Sequence, residues 1–194
     1  MALTLNNLQF SNTEAVSIVS IETMTLKDCE CLSIIGGNGS GKSTLASCIA
    51  GWVPTLLPGQ LQGSIILNHQ EIIGLSALEL SASVQYVQQA PQWQLSGCAF
   101  TVEEELTFGA ENLAFEHSII LQQLEHILHR MDLTHLRQRN PTTLSGGEMQ
   151  RLMIGSALMM NPQLLILDEA FSRMTHENHL KMLHCLQDIS QQSS

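Results

Sequence analysis

Residues 36–44 read Gly-Gly-Asn-Gly-Ser-Gly-Lys-Ser-Thr, and this stretch decides the fold. It fits the pattern G-x-x-x-x-G-K-[ST]. Glycines at 36, 37, 39 and 41 let the backbone curl with its amide N–H groups turned inward. A helix start immediately beyond adds its own unpaired amides, so the segment is an anion cradle. Lys42 brings a positive charge to the same place. Both flanks agree: Cys31-Leu-Ser-Ile-Ile35 is a short apolar run that reads as a buried parallel strand, and Ser43 to Trp52 is helix-compatible. Strand, glycine loop and helix in that order predict an α/β core around a parallel sheet.

Two later stretches extend the pattern. Leu164-Leu-Ile-Leu167 reads as a second buried strand and runs into Asp168-Glu169, which places two carboxylates where the strand emerges from the sheet. Leu144-Ser-Gly-Gly-Glu148 lies about a hundred residues after the glycine loop. Its glycines expose amide groups at a helix start and Ser145 adds a hydroxyl, a donor set suited to a phosphate. Between them, Val84-Gln-Tyr-Val-Gln-Gln89 reads as a strand ending at a glutamine. Near the N-terminus, residues 3–8 and 15–25 alternate apolar positions as half-buried strands do. Residues 63–68 form another such strand, closed by a turn at 68–70. From Thr101 to Leu136 the pattern is helical, Asn140-Pro141 breaks it, a helix follows Ser145, and His176 to Gln187 forms a last helix.

Walker A at 36–44, the Leu-Ser-Gly-Gly-Glu signature and the Leu167-Asp168-Glu169 Walker B end, in one chain this short, resemble the ATPase subunit of ATP-binding cassette (ABC) transporters. The resemblance implies an α/β P-loop NTPase core with a parallel sheet, an N-terminal antiparallel β subdomain and a helical insert near 100–143, together one domain over 1–194. It implies ATP and Mg²⁺ as cofactors. Gly36, Gly37, Asn38, Gly39, Ser40, Gly41, Lys42, Ser43, Thr44 and Gln89 would contact nucleotide. Ser43, Gln89 and Asp168 would hold Mg²⁺, and Glu169 would be the general base toward water. Ser145, Gly146, Gly147 and Glu148 would reach the ATP of an opposite subunit, so a homo- or heterodimer of ATPase subunits is implied.

The segment after Gln89 bears on subtype. Ala90-Pro-Gln-Trp-Gln-Leu95, Thr101-Val-Glu-Glu-Glu105 and Phe108-Gly-Ala-Glu-Asn-Leu113 look like the ATPases of energy-coupling factor importers, which bring vitamins and transition-metal ions into prokaryotic cells. An integral membrane subunit is then the expected partner. Trp93 and Phe100 either touch it or lie buried in the helical insert. Three features depart from the family pattern. Asn12 stands where an aromatic stacks on adenine, with Phe10 two residues earlier as its possible substitute. Ala170-Phe-Ser-Arg-Met-Thr175 lacks the aspartate of the D-loop. The chain stops at Ser194, before the family's switch histidine, and His176, His179 and His184 come too early and in a helical pattern. The expectation is a C-terminally short cassette.

Composition narrows the classes further. Net charge is −10, which disfavours a nucleic-acid partner because phosphate contacts need a basic face. Five cysteines with no Cys-x-x-Cys fit a reduced cytosolic protein. The first residues lack the basic-then-apolar pattern of a signal peptide, and the longest apolar run, 152–160, is too short for a membrane span. A cytoplasmic subunit peripheral on the membrane is expected. The histidine pairs His126/His129 and His176/His179 lack completing ligands and read as solvated helix residues. A non-hydrolysing regulatory cassette paired with an active homologue is the main alternative. A chromosome-maintenance or repair ATPase head is disfavoured by the absence of sustained heptads, and a P-loop kinase has no use for the signature.

Overall fold

The alternation at the N-terminus produces an antiparallel sheet in the computed structural model, which describes residues 3–192. The chain divides into two compact units, one running up to Tyr86 and rejoined by the last helix from Ile189, the other spanning Val87–Asp188. Met1, Ala2, Ser193 and Ser194 lie outside the described residues.

In the first unit, β1 (Leu3–Ser11), β2 (Ser17–Leu26), β3 (Gln60–Leu67) and the short β4 (Gln70–Glu71) form a sheet of order β2-β1-β3-β4. Leu3, Leu5, Leu8 and Phe10 are all buried, although 3 and 5 are odd and 8 and 10 even. The parity changes at Asn7, whose φ is 46°, where the β1–β3 register slips between Asn6 and Gln9. Gly63 faces this bulge: a Cβ there would lie 2.4 Å from the Asn7 carbonyl oxygen, so only glycine fits. Asn68 and His69, both at positive φ, make the two-residue turn between β3 and β4, as the sequence predicts for 68–70. Lys42–Ile49 forms α1, which buries Leu45, Ala46, Cys48 and Ile49. Ala77–Ser81 (α2) begins on a Ser76/Glu79 capping box.

One expected strand does not form. Residues 31–35 are irregular and solvent-exposed, Leu32 and Ile34 each at 48% and Ile35 at 93%. An apolar run becomes a buried strand only when neighbours satisfy its amides and cover both faces, and among the described residues none is paired with this one.

The second unit begins inside β5 (Val84–Val87), which pairs with β6 (Leu164–Leu167) in a two-stranded parallel sheet. Its core is helical: α3 (Val102–Asn112), α4 (His117–Arg130) and α5 (Gly146–Met159). Leu106, Leu124, Leu128, Met131, Leu152 and Ile154 are fully buried between them. Gly155 permits their close approach: a Cβ there would meet Leu106 at 2.9 Å, Ile127 at 3.1 Å and Met131 at 3.2 Å. The α5 helix is apolar nearly all round, more so than the single stripe read from Met149, Leu152, Met153, Ser156 and Met160. The last helix, α6 (His176–Gln192), runs five residues beyond its expected end at Gln187.

The Val102-Glu-Glu-Glu run shows how local charge shapes this unit. Glu103 receives two hydrogen bonds from Arg137, at 2.6 and 3.1 Å, and Arg137 also bonds Glu125 at 2.6 Å. Glu104 closes a capping box with Thr101 and accepts from Phe100 N–H at 2.6 Å. Glu105, 5% exposed, turns inward and accepts from both the amide and the hydroxyl of Ser96, each at 2.8 Å. Three consecutive carboxylates thus fix one helix start and the loop leading into it.

Candidate functional site

In the first unit the glycine loop runs exposed from Gly36 to Ser40, Asn38 among its residues, into α1. Gly39 and Gly41 have φ of 78° and 89°, and a Cβ on Gly41 would sit 2.9 Å from the Ile18 carbonyl oxygen. Glycine is therefore required at 41 twice over, by conformation and by space. Gly41 is the N-cap of α1 and supplies no side-chain cap, which leaves the first-turn amides of Lys42, Ser43 and Thr44 to a ligand. The Lys42 ammonium folds back and donates to the carbonyls of Gly36 and Gly37, both at 2.9 Å. That arrangement holds the lysine over the loop in which an anion would seat. Ser43 is exposed at the helix start, and its carbonyl accepts from Ser47 Oγ at 2.8 Å.

In the second unit, β6 delivers its two carboxylates as expected. The Asp168 amide donates to the Val87 carbonyl at 2.9 Å, continuing the strand pairing to its last residue. Glu169 follows with φ of 50° and an exposed side chain, and Ala170 behind it is buried. Gln89 Nε2 donates to Glu169 Oε2 at 2.6 Å, so two expected site residues 80 positions apart meet. With its nitrogen on Glu169, the Gln89 side chain keeps its carbonyl oxygen for another partner. Within this unit Gln89 and Asp168 offer carboxamide and carboxylate oxygens, and Ser43 of the first unit offers a hydroxyl, each a kind of donor that a hard cation such as Mg²⁺ takes.

The signature forms the first turn of α5. Ser145 is its N-cap and makes a full capping box with Glu148: the Glu148 amide donates to Ser145 Oγ at 3.4 Å, and the Ser145 amide to Glu148 Oε2 at 2.7 Å. Hydrogen bonds from the Ser145 amide and hydroxyl hold the Glu148 carboxyl below the usual glutamate range. Glu148 thus caps the turn, while Gly146 and Gly147 present the first amides of the helix.

Other residues take places that the sequence left open or hid. Phe10 is 1% exposed within the sheet, so it cannot replace the missing adenine-stacking aromatic. Asn12 is engaged in a turn, accepting from the Glu14 and Val16 amides at 3.0 and 2.9 Å. Trp93 and Phe100 are 82% and 76% exposed, which removes the reading that buries them. His179 stacks on Phe171, 4.7 Å between centroids, so it is not merely solvated. No group of three metal-ligating side chains of the His, Cys, Asp and Glu kinds occurs among the described residues. Sequence reasoning missed Gln150, which is fully buried beside the signature; its only signal was a polar residue within an apolar helix.

A glycine loop that aims helix amides at an anion, a strand that ends in paired carboxylates and a capped Ser-Gly-Gly turn together define an ATP-binding cassette ATPase as the class. The chain belongs to the ABC transporter family, whose model matches residues 20–172. It is 35% identical to the energy-coupling factor transporter ATP-binding protein EcfA1 of Streptococcus agalactiae, over 97% of this chain and 66% of that protein. It is 31% identical to the putative HMP/thiamine import ATP-binding protein YkoD of Bacillus subtilis, over 98% of this chain and 35% of that one. Among solved structures it is similar to CbiO1 of Clostridium perfringens, described as part of the ABC transporter complex CbiONQ, with a TM-score of 0.83 and 26% identity over 98% of this chain and 74% of that one. The chain therefore spans just under two thirds of the EcfA1 length.

Proposed function

We propose that this chain binds MgATP, dimerises on it with a second ATPase subunit, hydrolyses it, and so powers an importer of the energy-coupling type for a vitamin or a transition-metal ion. The observation that supports this reading most is the Gln89–Glu169 contact at 2.6 Å, which brings together the two side chains assigned here to the attacking water. Glu169 takes the proton of that water and Gln89 orients it. Lys42 and the α1 amides bind the β- and γ-phosphates. The Gly146 and Gly147 amides with Ser145 bind the γ-phosphate of the opposite subunit's nucleotide. Ser43, Gln89 and Asp168 would each offer an oxygen to Mg²⁺, which would supply neutralising charge to the phosphates.

The exposed Trp93 and Phe100 support docking of a membrane subunit on the helical unit, since large exposed aromatics suit an interface. No helix among the described residues is long and apolar enough to cross a membrane, in keeping with a subunit peripheral on the cytoplasmic face. We place residues 1–194 in one ABC ATPase domain. Steady-state ATP turnover by the purified chain, with Glu169→Gln as control, tests the proposal: turnover that vanishes in the control is expected, and turnover that survives it would refute the catalytic assignment. A second reading, a non-hydrolysing cassette that lends its signature to an active homologue, is favoured by the loop 170–175, which lacks the family's aspartate. Tight ATP binding without turnover would select it.

A further inference from the structure

The loop after β6 carries Arg173, and the structure gives this residue a use. The Arg173 backbone amide donates to Gln150 Oε1 at 3.1 Å. Gln150 is fully buried, and its Nε2 donates to Ser172 Oγ at 3.4 Å, so one carboxamide clamps two consecutive residues of the loop to α5. From this anchored backbone the arginine side chain lies across the signature turn. A Cβ on Gly146 would meet Arg173 Cδ at 3.1 Å, and one on Gly147 would meet the Arg173 carbonyl oxygen at 3.3 Å. Beyond the turn, Nη1 donates to Gln92 Oε1 at 3.4 Å. Gln92 sits in the short 3₁₀ turn Pro91–Gln94, beside the exposed Trp93. That turn is itself braced, because Gln94 Oε1 accepts from the Gln88 amide at 2.8 Å.

We infer that Arg173 is a positioning residue that links the Gln92–Trp93 turn to the Ser145-Gly146-Gly147 turn, so that displacing the first moves the signature amides. The inference rests on the functional reading above for what those amides bind, but the linkage itself concerns only this unit. Its parts have separate jobs. The buried Gln150 fixes where the arginine starts, the aliphatic carbons pack on Gly146, and the guanidinium reaches the turn on which a membrane subunit would press. An alanine at 173 would keep only its Cβ near Gly146 and lose the rest of the packing and the guanidinium contact.

Residue-resolved hydrogen exchange on the full chain tests this without nucleotide. The amides to follow are Ser145, Glu148 and Met149, each bonded in the first turn of α5. Gln92→Ala and Arg173→Met should each raise their exchange about threefold, the effect of one weak hydrogen bond, whereas Arg173→Lys, which keeps a cationic donor, should stay near wild type. Arg173→Met retains the carbons over Gly146 and so separates packing from the bond. Amides of β1 and β3 report whether a variant still folds. Unchanged exchange at the three amides in Gln92→Ala, or equal rises in Arg173→Met and Arg173→Lys, overturns the inference. Nucleotide binding is measured separately with a fluorescent ATP analogue, so a wild-type chain that fails to bind it refutes the proposed function and leaves the exchange result standing.

Discussion

Removing the Glu105 carboxylate should destabilise the helical unit strongly, because the group is buried and fully used. It accepts from Ser96 N–H and from Ser96 Oγ, each at 2.8 Å, at 5% exposure. The same hydroxyl accepts from the Cys98 and Ala99 amides at 3.2 and 3.3 Å, so the carboxylate orients a serine that in turn folds the loop. Each hydrogen bond to a charged group contributes about 1.5–3 kcal/mol. Exposing the charge in the unfolded state offsets part of this, so Glu105→Ala should cost about 3 kcal/mol, while Ser96→Ala, which leaves the backbone bond intact, should cost about 1.5 kcal/mol. For a chain of 194 residues the first corresponds to a melting temperature about 6–12 °C lower. Thermal denaturation of wild type, both single variants and the double variant closes a cycle. The double variant should fall short of the sum by about 1.5 kcal/mol, since one bond is removed twice. Additivity within about 0.3 kcal/mol, or a Glu105→Ala chain that melts with wild type, would refute the argument.

Three further outcomes follow from other sites. Lys42→Ala should abolish binding of a fluorescent ATP analogue, and unchanged affinity would sink the glycine-loop assignment. The Arg137 guanidinium holds the Glu103 carboxyl below its ordinary value of 4.5, so this pair stabilises the fold above that pH and its contribution is lost as pH falls through the lowered folded value; Glu103→Gln should flatten the acid limb of a stability–pH curve, and an unaltered limb would show that the pair contributes nothing there. Burial pushes the Cys48 thiol up to about 12, whereas Cys29, Cys31 and Cys98 are exposed; a maleimide should label those three in the native chain and reach Cys48 only on unfolding, and rapid native labelling of Cys48 would contradict its burial.

The sequence carried the local devices of this fold well, because each is written in adjacent residues. Ser145 with Glu148 and Thr101 with Glu104 are capping boxes readable from spacing, and both form. The adjacent Asn6 and Asn7 interrupt the alternation of β1, which marks the bulge, but its demand for glycine at 63 comes from a strand more than fifty residues away. Residues 31–35 differ from their sequence pattern for a related reason. Four apolar residues around Ser33 fit a buried strand, yet whether they become one depends on neighbours that no local pattern specifies. Phe10 likewise carried the right chemistry for adenine and the wrong address: its position in β1 sends the ring into the core.

The glutamates at 103, 104 and 105 show why site residues are harder to read than folds. All three are equally acidic in the sequence, and a charge run ordinarily means a solvated face. The structure separates them by direction alone. Successive helical positions point about 100° apart, so one carboxylate meets Arg137, the next closes the helix start and the third faces the interior toward Ser96. The consequence reaches the surface: Phe100 is bonded through its amide to Glu104 and follows directly the turn that Ser96 caps. An exposed aromatic held by its backbone in this way is presented at little further entropic cost. Under the proposed docking at Phe100, the acidic run acts on the partner through the loop it shapes, and substitution of Glu105 should weaken docking even though that side chain is buried.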